Sequence, residues 1–143
     1  MRIEDIHSEY EKDKTIDSTN VIEEGARIPK LFAKYRAMYD REKYLWIKLN
    51  NEFKILRKEK YEHYSQGASK ETRAKGWEVP QNRILKQDLP IYLEADKELL
   101  DLQTKIDISK LKVDTLESYC KEILARNYIV QNIGAMIRFY SGN

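Results

Sequence analysis

The sequence predicts an all-α chain built around one long kinked helix and a set of C-terminal helices. Three observations predict it. Apolar residues recur at three- and four-residue spacing from about residue 20 to 65, and a more regular run of the same spacing follows from Tyr92 to Ile123. Only five Gly and three Pro occur among 143 residues, too few for the many turns of an all-β fold.

The elements follow in order. Ile3, Ile6 and Tyr10 mark a short helix over residues 2–12 with one narrow apolar edge. Asp17-Ser18-Thr19-Asn20 then supplies acceptors for the unpaired N–H groups of a new helix, and Asn20 with Glu23 has the spacing of a capping box. That helix keeps its period to about residue 65, through Ile28, Leu31/Phe32, Tyr35, Met38/Tyr39, Leu45/Trp46, Leu49, Phe53 and Leu56. Pro29 interrupts it, lacking a backbone donor and crowding the carbonyl of Gly25, so a kink or a fresh start is expected there. Ser65-Gln66-Gly67 ends the segment, with Gly67 suited to a left-handed cap.

Residues 66–90 read as the longest irregular stretch, small, polar and basic, with Gly76, Pro80 and Pro90. Positions 92, 95, 99, 102, 106, 109, 113, 116, 120 and 123 then form a heptad seam in which only Ser109 is polar. Arg126-Asn127 is expected to end it. A last helix from about Tyr128 is apolar on most of its circumference and needs cover, for which a sister subunit is the natural source. The division expected is an N-terminal helical region, 1–90, and a C-terminal oligomerisation region, 91–143.

Hydrophobic residues make up 41% and charged residues 35%, so the core is thin and stripes buried between subunits would complete it. The N-terminus is not read as a secretory signal, no window approaches the roughly 18 apolar residues of a membrane span, and the single Cys120 excludes an internal disulfide. A net charge of +2 conceals an uneven distribution: −5 over residues 1–26, +4 over 27–53, +5 over 54–86 and −2 over 87–143. A basic middle between acidic flanks points to a polyanionic partner.

Catalytic groupings are missing from the sequence. His7 and His63 lie far apart, no phosphate-cradling glycine loop or nucleophile elbow occurs, and no cofactor is expected. Cys120, on the seam, reads as a packed small hydrophobe, and the pairs Glu23/Glu24 and Asp96/Glu98 read as solvated helix faces. The informative segment is Lys54-Ile55-Leu56-Arg57-Lys58-Glu59-Lys60-Tyr61-Glu62-His63-Tyr64. On a helix Lys54, Arg57, Lys58 and Tyr61 share one face, with Lys60 and Tyr64 adjacent. Cations that follow phosphates beside rings that stack on bases suit single-stranded nucleic acid. Lys70, Arg73, Lys75, Arg83 and Lys86 with Trp77 extend the patch. The competing reading is a helical scaffold or adaptor without nucleic-acid binding, motivated by the seam.

Four blocks carry a family resemblance: the opening MRIEDIHSEYEKDKTIDSTN, the basic-aromatic RKEKYEHYSQG, the LEADKELL segment and the KVDTLESYCKEILARNYIVQNI tail. In order and spacing they resemble the UvsY family of recombination mediators of large tailed phages, over nearly the whole chain. The resemblance implies a helical subunit of a ring-like homo-oligomer, a hexamer or heptamer, in the cytoplasm of the infected bacterial host. It implies binding to single-stranded DNA coated by the phage single-strand-binding protein, and loading there of a UvsX-like phage recombinase for recombination-dependent replication and repair. The family's Lys-x-Arg contact pair falls on Lys58 and Lys60, with Tyr64 matching an aromatic and His63 standing where the motif has tyrosine. Lysine at 60 keeps the charge without the planar fork of arginine. Pro29 and the insertion of Gln66 also depart from the family pattern.

Overall fold

The computed structural model describes residues 1–66, 70–79 and 84–142, among which lie five helices and one short turn. They are α1 (Ile3–Asp13), α2 (Val21–Gln66), α3 (Lys70–Ala74), a 3₁₀ turn (Lys86–Asp88), α4 (Leu89–Glu94) and α5 (Lys97–Tyr140). No strand occurs among the described residues, and none of their helices is long and apolar enough to cross a membrane.

The chain folds into two compact units, each drawing on α2 and α5. One comprises Met1–Tyr44 and Ser109–Asn143, the other Leu45–Ile108. The units therefore do not follow a boundary at residue 90.

In the first unit α1, the start of α2 and the end of α5 bury a common core. Ile6 and Tyr10 come from α1, Ile28, Leu31, Tyr35 and Met38 from α2, and Leu116, Cys120 and Ile123 from α5. These are the positions their periodicities select. Tyr10 stacks on Tyr119 with ring centroids 3.8 Å apart, and Tyr35 meets both rings edge-on. Edge-to-face and stacked pairs add about 0.5–1.5 kcal/mol each beyond their burial. Cys120 is buried as a small apolar group, and burial pushes its thiol pKa up. Glu24 of the Glu23/Glu24 pair is buried against the Arg27 guanidinium at 3.2 Å, and is not a solvated carboxylate.

Of the two outcomes expected at Pro29, the fresh start does not occur: α2 runs through it as one helix, because Ile28 and Leu31 on either side pack into the same core and outweigh one missing backbone hydrogen bond. α5 likewise continues past Arg126-Asn127 to Tyr140, with no separate helix from Tyr128. Arg126 is drawn inward to the carbonyl oxygen of Asp13 at 2.8 Å, and Val130 packs against the core. Ile133 and Gly134 are still half-buried, and from residue 135 the helix is open to solvent, with Phe139 78% and Tyr140 80% exposed.

The second unit corrects the reading of residues 66–96. α3, the 3₁₀ turn and the start of α4 occupy part of the stretch expected to be irregular, while Gly67 and Pro80 lie outside the described residues. The seam begins at Leu99, not at Tyr92: Tyr92 and Ala95 are exposed, and Leu89, Leu93 and Asp96 point inward instead. The physical reason is Asp96. Its Oδ1 accepts the Leu99 N–H at 3.0 Å and its carbonyl accepts the Leu100 N–H at 2.9 Å, so it caps α5 and separates it from α4. From Leu99 the expected register holds, with Leu99, Ile106, Ser109, Val113, Leu116, Cys120 and Ile123 all buried.

Candidate nucleic-acid interface

The C-terminal stretch of α2 carries the basic run, and its helical geometry divides the run in two. Successive residues are turned by about 100°. Lys54, Arg57, Lys58 and Tyr61 therefore cluster on one side, while Leu56, Lys60 and His63 lie on the other and Tyr64 falls at the border, close in phase to Arg57. Burial follows that division. Lys54, Arg57, Lys58 and Tyr61 are exposed, whereas Lys60 and His63 are buried and Leu56 and Tyr64 half-buried.

No carboxylate among the described residues pairs with Lys54, Arg57 or Lys58, so three positive charges stand unneutralised within two helical turns. Glu59, between Lys58 and Lys60 in sequence, is engaged by Lys75 at 3.3 Å. The Tyr61 ring is 40% exposed beside these cations, and Ile55 is exposed as well. Charges of one sign on a solvated helix face attract a polyanion at long range, and an exposed ring offers a stacking surface.

Lys60, expected beside that face, is turned away from it, and Tyr64, at its border, is half-buried with its hydroxyl directed inward. Lys60 is 3% exposed and its Nζ lies 3.1 Å from Asp96 Oδ2 and 3.6 Å from Glu98 Oε1. The ammonium also sits 3.9 Å from the centroid of the Trp77 ring, a desolvated cation–π contact. Tyr64 donates its hydroxyl to the same Asp96 oxygen at 2.6 Å. His63 donates Nε2–H to the Glu78 carbonyl at 2.7 Å and meets Trp77 edge-on. Burial on its own would raise the Asp96 carboxyl. The Tyr64 hydroxyl, the Leu99 N–H and the Lys60 ammonium together outweigh it and hold the pKa below the usual carboxylate value. Asp96, read from sequence as a solvated carboxylate, is thus the buried hub of this unit.

The other half of the expected patch is dispersed. Trp77 is buried beneath Lys60 and Lys75 and offers no open face for a base. Arg73 and Lys86 are exposed, while Arg83 and the side chain of Lys70 fall outside the described residues. The inward turn of Lys60 was detectable in principle. It aligns with Phe53, Leu56 and His63 on the period of the apolar face. Its partner, 36 positions away at Asp96, was not.

Among the described residues the chain is helical without strands and turns unneutralised cations and a tyrosine to solvent, an arrangement suited to a nucleic-acid-binding protein. Comparison with known proteins names the kind. The family model described as recombination, repair and ssDNA binding protein UvsY matches residues 9–143, and the chain belongs to that family. It is a single-strand-binding family and not an enzyme family. Recombination protein uvsY of Enterobacteria phage T4 is 27% identical over 142 residues, covering 99% of each chain. A crystal structure of the bacteriophage T4 recombination mediator protein UvsY, lattice type II, matches with a TM-score of 0.86 at 26% identity, over 99% of this chain and 98% of that one. The lattice type IV structure, with a TM-score of 0.82 at 24% identity over 98% and 99%, attests the fold alone.

Proposed function

We propose that this chain is a recombination mediator whose single-strand site is the outward face of α2. Lys54, Arg57 and Lys58 engage phosphates and Tyr61 stacks on a base. Lys60 and Tyr64 belong to the site from the inner side of the helix. The observation that carries the reading is the trio of solvated cations without carboxylate partners, in a member of a single-strand-binding family. Copies gather through the exposed apolar end of α5 into a ring-like hexamer or heptamer. Residues 1–90 supply the DNA-binding region and 91–143 the oligomerisation region, a functional division distinct from the compact units. The assembly loads a UvsX-like phage recombinase onto DNA coated by the phage single-strand-binding protein, in the cytoplasm of the infected bacterial host. It thereby supports recombination-dependent replication and repair.

Weak sites suit this role. Arraying them raises occupancy by about 10²–10⁴ over one module, while each contact still breaks quickly enough for hand-off. The test is titration of a fluorescent oligothymidylate at rising salt. Affinity falls steeply, and replacing Lys54, Arg57 and Lys58 together by alanine flattens the dependence by about 0.7 in log–log slope per lost phosphate contact. An unchanged slope removes this face from the site. Absence of binding in dilute salt favours the scaffold reading instead.

A further inference from the structure

Lys60 carries the charge of a phosphate ligand in the surroundings of a core residue. Two positions along an α-helix differ by about 200°, so Lys58 and Lys60 cannot present their ammonium groups to one strand from one face. The structure resolves the choice: Lys58 is exposed, and Lys60 lies between the Asp96 carboxylate, the Glu98 carboxylate and the Trp77 ring. Asp96 in turn caps α5 through Leu99 and accepts the Tyr64 hydroxyl. α2 is thereby clamped to the first turn of α5 by two side chains one helical turn apart, Lys60 and Tyr64.

We propose that Lys60 is a positioning residue of the single-strand site, fixing the rotation of α2 through Asp96 so that Lys54, Arg57, Lys58 and Tyr61 face outward, and that it makes no phosphate contact itself. The inference rests on the outward face being the strand-binding surface. It assigns the two cations of the Lys-x-Lys pair different tasks. Removing one partner of a buried ion pair leaves an uncompensated charge, whereas replacing both by neutral groups of similar shape does not. Lys60→Met keeps the length of the stem against Trp77, and Asp96→Asn keeps the cap and the acceptor for Tyr64. The single Lys60→Met variant therefore loses stability and binding together, and the Lys60→Met/Asp96→Asn double variant regains both.

Two measurements decide it. The first uses the unmodified chain: lysines are acylated with and without bound oligothymidylate, and each site is read by mass spectrometry. Lys54 and Lys58 should label when free and be protected by the oligonucleotide, while Lys60 stays unlabelled in both states. Ready labelling of free Lys60 that the oligonucleotide then blocks would overturn the inference. Persistent labelling of Lys54 and Lys58 in the complex overturns instead the reading of the outward face, on which the positioning role depends. The second is the salt dependence of the double variant. A positioning role leaves the log–log slope at the unmodified value. A direct phosphate contact lowers it by about 0.7, as Lys58→Ala does.

Discussion

The guanidinium of Arg126 donates from Nη2 to the carbonyl oxygen of Asp13 at 2.8 Å, joining residues 113 positions apart. Asp13 is the last residue of α1, so its carbonyl has no partner within the helix. Arg27 of α2 donates to the same oxygen at 2.8 Å, and one backbone atom thus ties all three helices of the first unit. Cations at a helix C-terminus also answer the negative end of its dipole. Arg126 is 3% exposed, so water cannot replace the bond when the side chain is removed.

Arg126→Met should lower unfolding stability by about 1.5–3 kcal/mol, the usual range for a hydrogen bond with a charged donor. Urea denaturation at fixed protein concentration checks this. The midpoint falls while the slope of the transition stays constant. An unchanged midpoint would mean that the contact contributes nothing to the fold.

Acid should unfold the protein through two carboxylates. Burial would raise Asp13, but the Lys34 ammonium at 2.6 Å, the Tyr35 hydroxyl at 2.8 Å and the Arg27 charge outweigh it and hold its pKa below the ordinary value. Asp96 is lowered by its own three partners against the same opposition. A carboxyl whose folded pKa is depressed releases its proton more readily when folded, so its stabilisation is complete above the unfolded pKa of about 3.9. That stabilisation is lost as pH falls through the lower folded value. Thermal melts from pH 6 downward should decline most steeply below about pH 4, and Asp96→Asn should flatten the decline. Variant and parent curves that stay parallel would exclude Asp96 as a contributor.

The alkaline side has the opposite sign. Burial, and then the Glu122 carboxylate it donates to, push the Tyr10 hydroxyl up to about 12. Tyr35 and Tyr64 are raised likewise, by burial first and then by Asp13 and Asp96. A raised folded pKa means the native state keeps a proton that the unfolded chain gives up near pH 10, so stability holds below about 10 and is lost above it. Tyr10→Phe should show a shallower loss between pH 10 and 12, read by circular dichroism. A loss as steep as the parent's would rule Tyr10 out.

These partners explain how much could be read from sequence. The cores of α1, the first half of α2 and α5 from Leu99 onward were legible, because burial there is decided by each helix's own period. The break at Ala95-Asp96 was not. Neither residue disturbs a three-four pattern, and the partners that draw Asp96 inward, Lys60 and Tyr64, come from another helix. Arg126-Asn127 misled in the other direction: local propensity favours a stop, and the contact of Val130 with the core overrides it. In the basic run, Lys54, Arg57, Lys58 and Tyr61 were legible as one face. Lys60 carries the same charge as its neighbours, and its inward turn depends on Asp96, 36 positions away.

Tyr61 separates stacking from charge. Replacing it by alanine should weaken oligothymidylate binding by about 1–3 kcal/mol, the range for one base–ring contact. It should leave the salt slope unchanged, since no counterion is displaced by a neutral ring. Lys58→Ala should do the reverse in kind, changing the slope. Equal slopes for both variants would mean that Lys58 does not meet a phosphate.

The open end of α5 makes the last prediction sharp. Ile133, Met136, Ile137 and Tyr140 line an apolar groove with Ser18 and Ser141, beyond the last core contact at Val130. Deleting everything from residue 128 would also remove Val130 and confuse assembly with folding. Met136→Lys together with Ile137→Lys avoids this, because both side chains are about half exposed and substitution there leaves the core intact. If copies meet through this surface, two charges placed in it must be desolvated without partners, at a cost of several kcal/mol. Light scattering should then report single subunits whose melting transition keeps its helicity. Oligothymidylate affinity should drop by the avidity factor while the salt dependence of each single site persists. An assembly of unchanged mass after both substitutions would place the contacts between copies elsewhere on the helices.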